Sequence, residues 1–329
     1  MNFKQLFEDF QNIKVGVIGD VMLDTYMWGN VERISPEAPV PVLSVIGKEY
    51  RIGGAGNVAL NLASLGAKAS IISITGNDDD GQQLKKMFEA EGILTQYLST
   101  SVNRITTNKT RIISRNQQMM RLDSEMTKDL QVEEEEMLME SIKKFIDQEN
   151  PAVIIFEDYN KGVLTEKIIT EIIRICQNKS IITAVDPKRK HFFSYVGVDI
   201  FKPNLKEVKE GLQVLEEGIS LPIMDRIHEQ LHQKLAHGIS LITLSEHGAY
   251  FSNGNKRKLI PSHRRNIADV SGAGDTVVAV ASLVYAATKN VDLMGEMANI
   301  AGGLVCEEVG TVAINRERLY EECIELLGS

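Results

Sequence analysis

The sequence predicts a layered α/β fold, with helices on both faces of a central, mainly parallel β-sheet. Short, continuous, β-branched apolar runs recur at 15–20, 69–75, 152–158, 181–186, 199–204 and 240–245. Helix-period segments lie between them at 55–65, 80–91, 131–147, 163–177 and 222–236. Runs that are apolar throughout, rather than alternating, suit strands covered on both faces. Their alternation with helices is the pattern of a sheet wrapped by helices. The 329 residues, 43% apolar and 25% charged, supply enough core for one domain spanning 1–329.

The first strand, VGVIGD (15–20), ends at Asp20, with Asp24 just beyond. Ligands of parallel sheets bind at the carboxyl ends of the strands, so Asp24 is a candidate for holding hydroxyl groups. Asp20 either does the same or shapes the turn. The stretch 31–45 contains three prolines, which forbids a helix and predicts an edge strand or clasp. In the next segment, Arg51-Ile52-Gly53-Gly54-Ala55-Gly56-Asn57, the glycines let backbone approach a ligand, and Asn57 offers a hydrogen-bonding amide. Gly54 to Ala59 also fits the dinucleotide string GxGxxA, but GKEYRI before it is too polar for a buried first strand. A purely structural helix start is the plain alternative.

The stretch 103–123 alternates polar and apolar residues and predicts exposed hairpin strands. With the proline-rich stretch it forms a candidate lid, a small β-sheet inserted at about 25–50 and 100–123. Arg33, Lys109, Arg111, Arg115 and Arg121 give it cations that suit a phosphate. Val40, Val42, Ile112 and Met119 give it apolar side chains that need a cover, which predicts a homodimer through the lids.

Further on, Asn204 and Glu207 stand one helical turn apart after a strand. They read as a cap and its capping-box partner, or as polar groups facing a site, or both. Asp186 closes another strand beside them. The sharpest signal is 267–287, where Gly272-Ala273-Gly274-Asp275 precedes a helix that is apolar nearly all round. A buried helix start with small residues exposes unpaired amides and positive potential, which together favour an anion. Asp275 in that first turn can take the proton of an attacking hydroxyl. The plain alternative is a tight turn with an acid that complements the helix dipole.

The net charge of −9 and the absence of a Lys/Arg block argue against a nucleic-acid or membrane partner. Cys176, Cys306 and Cys323 match no metal spacing. The charged N-terminus lacks a signal-peptide apolar stretch, and no segment has the roughly 20 apolar residues of a span, so the expected location is cytoplasmic.

The GAGD element, the Gly53-Gly54 signature and Pro203-Asn204-Leu205-Lys206-Glu207 together resemble the ribokinase family of carbohydrate kinases, over nearly the whole chain. The resemblance implies a ribokinase-like three-layer fold with a nine-stranded core and a β lid that often pairs between subunits. It implies transfer from ATP to a sugar hydroxyl, with Asp275 as base and Gly272, Ala273 and Gly274 as anion hole. Gly53, Gly54 and Asn57 fall on the sugar side. Asn204, Leu205, Lys206, Glu207, Ser245, Gly248 and Asn299 fall on the nucleotide side, with Glu207 reaching Mg2+ through water. Asp269, Gly310 and Thr311 border a candidate monovalent-cation site. His247 reads as a loop residue.

Segments 19–45, 114–123 and 158–164 are similar to the kinases that make heptose 1,7-bisphosphate from D-glycero-D-manno-heptose 7-phosphate for ADP-heptose and lipopolysaccharide synthesis. That likeness adds Asp24, Arg33, Lys109, Arg111, Gln118 and Asp158 as substrate-side residues. Many such kinases are fused to a nucleotidyltransferase with an HxGH-type motif. No such motif occurs here, so a separate nucleotidyltransferase is the expectation. The same chemistry on another sugar, sugar phosphate or nucleoside, a nucleotide-dependent dehydrogenase, and a non-catalytic sugar-phosphate sensor are the rival readings.

Overall fold

The computed structural model describes residues 2–115, 117–215 and 218–328. In chain order, α1 (Phe3–Asp9) leads into β1 (Lys14–Gly19), and a single residue later β2 (Val21–Ile34) rises and returns as β3 (Pro41–Gly54). Then come α2 (Ala55–Ser64), β4 (Lys68–Gly76), α3 (Asp79–Ala90), β5 (Leu98–Ser101), β6 (Thr107–Ser114), β7 (Gln117–Ser124) and α4 (Val132–Glu149). β8 (Val153–Glu157), α5 (Glu166–Lys179), β9 (Ile182–Asp186), β10 (Ile200–Phe201), α6 (Leu205–Leu212), α7 (Leu221–Leu235), β11 (Ile239–Thr243), β12 (Ala249–Ser252) and β13 (Arg257–Ile260) follow. α8 (Ala273–Thr288), α9 (Val291–Val305) and α10 (Arg316–Leu327) close the fold.

Nine strands form the main sheet in the order β13-β12-β11-β10-β9-β8-β1-β4-β5. It is parallel from β5 to β11, and β12 and β13 are added antiparallel. Alternate side chains of each strand enter opposite layers, as strand geometry requires. Val15, Val17, Val153 and Ile155 pack with α2, α8 and α9, whereas Ile18, Ile154 and Phe156 pack with α4, α5 and α7. Two apolar layers therefore sandwich the sheet. Among the described residues, no helix is long and apolar enough to cross a membrane.

The four lid strands run in the order β3-β2-β6-β7. The hairpins at both predicted places are present, with shifted limits. β2 begins at Val21, directly off β1, and the segment just after 100 belongs to β5 of the main sheet rather than to the lid. Two of the three prolines, Pro36 and Pro39, lie in the β2–β3 turn, and Pro41 opens the edge strand β3, where no ladder hydrogen bond is lost. The expected strand at 199–204 shortens to Ile200–Phe201 because Asn204 already caps α6. The helix expected from 163 starts at Glu166, because the Thr165 hydroxyl caps it. From β1 the chain goes first to β4 and returns on the other side with β8, so the carboxyl ends of β1 and β8 flank the switch-point crevice.

Candidate active site

At that crevice α8 begins. Gly272 takes φ +78°, and a Cβ there would lie 2.7 Å from the Asn57 amide nitrogen, so both backbone and space demand glycine. Asp275 in the first turn is 3% exposed. Its Oδ2 accepts a 2.8 Å hydrogen bond from Asn57 Nδ2, and its Oδ1 accepts one of 2.8 Å from the Tyr159 hydroxyl. α2 and α8 are locked together beneath it by Asn61, whose Oδ1 accepts from the Thr276 hydroxyl at 3.0 Å and the Ile314 amide at 2.9 Å. Burial lifts the Asp275 pKa to about 6 against the pull of Asn57 and Tyr159, with Asp186 pushing it up and Lys202 down. Such a group is mostly ionised at neutral pH yet basic enough to receive a proton. The Ala273 amide already donates to the Val270 carbonyl at 3.3 Å, which takes it out of the expected donor set of Gly272, Ala273 and Gly274.

Asp186 ends β9 beside Asp275. Its Oδ2 pairs with Lys202 Nζ at 2.7 Å and its Oδ1 with Lys188 Nζ at 3.1 Å. Lys188 also reaches Glu207 Oε1 at 2.9 Å. Burial opposes charging Asp186 and Lys188, but their mutual attraction outweighs it, so both stay ionised. Asn204 and Glu207 form the capping box of α6, and Glu207 also pairs with Lys188 of the carboxylate cluster. Glu157 is fully buried, and neither carboxylate oxygen has a hydrogen-bond partner. One oxygen each of Glu157, Asp186 and Asp275 lie within 4.8 Å of one another. Burial, and then Asp186 and Asp275, push the Glu157 pKa well up.

On the lid side, Asp24 accepts from Arg111 Nη1 at 2.5 Å and from the Thr311 hydroxyl at 3.4 Å. A Cβ on Gly53 would sit 2.5 Å from Asp24 Oδ2, and one on Gly54 would sit 2.4 Å from the Asp20 carbonyl. The paired glycines are thus where the lid meets the sheet edge. They also end a lid strand rather than a parallel core strand, so this segment is not the strand–turn–helix unit that GxGxxA requires for a dinucleotide. Lys109 lies over the Tyr159 ring at 5.7 Å, and burial lowers its pKa. Asp269 accepts from the Gly310 amide at 2.9 Å and from the amide and hydroxyl of Ser271, with Thr311 next to it.

A cavity of about 670 Å³ opens past β11, lined by Leu205, Leu244, Ser245, His247 and Pro261 among others. Gly248 follows the lining residue His247 at φ +91°, where a Cβ would meet the Ile260 carbonyl at 2.0 Å. Asn299 is partly buried and donates to the carbonyl of the lining residue Pro261 at 3.0 Å.

Several expected residues lie elsewhere. Arg33 is exposed on the outer half of β2, nine residues beyond Asp24 or about 30 Å along an extended strand. Gln118 is exposed near the tip of the β6–β7 hairpin. Arg115 sits exposed in that turn, and Arg121 pairs with Asp123. Lys206 points outward, 3.9 Å from Glu210. Asp158 has both oxygens engaged, by the Asn160 amide at 2.8 Å and the Tyr195 hydroxyl at 3.0 Å, which ties it to loop structure. Asp20 accepts the amides of Tyr159, Lys161 and Val163 and is a turn-former. Sequence reasoning missed Glu157, Tyr159, Lys188 and Lys202. Lys202 and Glu157 had a faint signal, a charged residue closing an otherwise apolar run.

The model of the pfkB family of carbohydrate kinases matches residues 12–318. The bifunctional protein HldE of Syntrophotalea carbinolica is 37% identical over 324 residues, 97% of this chain and 65% of that one. The same-named protein of Geobacter sulfurreducens is 37% identical over 317 residues, 95% and 64% respectively. The chain thus spans just under two thirds of these relatives. Among solved structures, phosphofructokinase-2 of Escherichia coli in complex with potassium superposes with a TM-score of 0.78 at 17% identity, covering 96% of this chain and 99% of that one. Arabidopsis thaliana ribokinase with ribose and ATP gives 0.72 at 16%, covering 94% and 98%. The fold is that of ribokinase-like kinases, and the chain belongs to the pfkB family of carbohydrate kinases.

Proposed function

We propose that this ATP-dependent kinase phosphorylates the anomeric hydroxyl of D-glycero-D-manno-heptose 7-phosphate, giving heptose 1,7-bisphosphate. The observation that carries the transfer is Asp275, a buried carboxylate oriented by two donors at a helix start. The acceptor hydroxyl gives its proton to Asp275 as its oxygen bonds to the γ-phosphorus; the bond to the bridging oxygen breaks, and ADP leaves. The Gly274 and Asp275 amides and the Lys202 ammonium face the charge of the group in transfer. Asp24, Gly53, Asn57, Lys109 and Arg111 surround the sugar, and the cavity past β11 takes the nucleotide.

Each Glu207 oxygen already carries one hydrogen bond. Lone pairs remain for metal-bound waters, but there is no open carboxylate for direct ligation, which fits a Mg2+ ion held through water. That ion supplies charge neutralisation at the phosphates. Asp269, Gly310 and Thr311 lie together where a monovalent cation would border the site. The heptose assignment rests on the likeness of segments 19–45, 114–123 and 158–164, and a cytoplasmic location is proposed with it. A kinetic panel tests it: heptose 7-phosphate should exceed ribose, fructose 6-phosphate and adenosine in kcat/KM by at least about a hundredfold, the scale of a charged group well recognised. If ribose or a nucleoside wins, the heptose assignment falls and the kinase remains.

A further inference from the structure

The transfer described above gives Tyr159 no step, yet its hydroxyl is one of only two side-chain donors on Asp275 among the described residues. Its backbone is pinned. The buried Asp20 carboxylate accepts the amides of Tyr159, Lys161 and Val163 at 2.8, 3.0 and 3.1 Å, and Arg104 donates to the Lys161 carbonyl at 2.6 Å. Its ring is flanked by two cations from different parts of the fold, Lys109 of the lid at 5.7 Å and Lys188 of the carboxylate cluster at 5.5 Å. A side chain fixed at its backbone and ring can aim its hydroxyl at only one place.

We propose that Tyr159 is a positioning residue for phosphoryl transfer, whose hydroxyl fixes the Asp275 carboxylate in the orientation that receives the acceptor's proton. The inference rests on Asp275 as the base. Burial and then Asp275 push the Tyr159 phenol well above its usual range, so it stays a neutral donor and is no rival for the proton. Because Lys109 belongs to the lid and Lys188 to the β9 end, the hold on the base depends on lid and sheet being in register. The groups facing Asp275 are Glu157 from β8, Asp186 from β9, Lys202 beyond β10, Asn57 from α2 and Tyr159 itself. Of the two acids, Glu157 keeps its own proton, and the ionised Asp186 makes the carboxylate harder to ionise. The other three favour the charged form.

Removing the phenol hydroxyl therefore has two consequences. The carboxylate loses orientation, and it becomes harder to ionise. In Tyr159→Phe, kcat at pH 7 should fall about tenfold, and the acid limb of the kcat profile should move up by about one pH unit, with partial recovery above pH 8. The KM for ATP should change less than about twofold, since the nucleotide cavity is untouched. The readout is kcat and KM across pH 5–9, with Asp275→Asn measured alongside. A merely structural role would leave the limb where it is, so an equal drop at every pH, or no drop, overturns the proposal. If Asp275→Asn is inactive while Tyr159→Phe behaves as wild type, Tyr159 alone is misassigned. If Asp275→Asn turns over normally, the base assignment fails and takes this proposal with it.

Discussion

Three carboxylates share the centre of this site, and their neighbours give each a different charge behaviour. Asp186 faces two ammonium groups and stays ionised. Asp275 has two neutral donors and sits at about 6. Among the described residues Glu157 has no donor, and it keeps its proton well above its usual 4.5. A group whose folded pKa is raised contributes stability fully below its unfolded pKa and loses it as pH rises toward the folded value. Glutamine at 157 has no proton to bind, so it escapes that loss. The melting temperature of Glu157→Gln relative to wild type should therefore climb between pH 5 and pH 8. A difference that stays flat, or shrinks, would mean that Glu157 is ionised and paired. Asp275 was legible in the sequence because GAGD stands before an all-apolar helix. Glu157 was not, because a glutamate ending an apolar run reads as the point where a strand meets water.

At the scale of elements, the lid sets which side chains hang over the crevice and how much apolar surface lies exposed. β2 leaves β1 after one residue, so Asp24 is delivered over the crevice by the same strand that carries Arg33 about 30 Å outward. The sequence disclosed the hairpins through their polar–apolar alternation. It could not disclose how far Arg33 and Gln118 stand from Asp24, because strand direction is set by pairing between β2 and β6, which are distant in sequence. Val40 and Met119 are exposed as expected, while Val42 and Ile112 are partly covered. Val45, Ile46, Met120 and Leu122 add to the exposed apolar surface of the same sheet. A sheet with such a surface and two open edges is usually covered, and we expect a homodimer paired through the lids. Light scattering should give twice the chain mass at micromolar concentration, and Ile46→Asp with Leu122→Asp should return it to the monomer. A wild-type monomer would contradict this cover.

At the scale of the molecule, the order of apolar runs along the chain was enough to read a parallel sheet between two helical layers. The short antiparallel strands β12 and β13, four residues each, escaped because so few residues show no period. The long-range contacts that make the site were equally hidden. Asn57, Tyr159 and Asp275 meet only because β1 and β8 lie side by side while α2 and α8 pack across them. The whole fold thus brings one buried carboxylate, held by two donors, to the switch-point crevice. The most direct test is kcat of Asp275→Asn with saturating ATP and sugar phosphate, read together with ATP affinity and melting temperature. Asparagine keeps the size and can still meet its neighbours, but it cannot take a proton as a carboxylate does. The account predicts a fall in kcat of about 10²–10⁴-fold, with nearly unchanged ATP affinity and a loss of only about 0.3–1 kcal/mol of helix-dipole interaction. A variant that melts normally and turns over at more than about a tenth of the wild-type rate would contradict it.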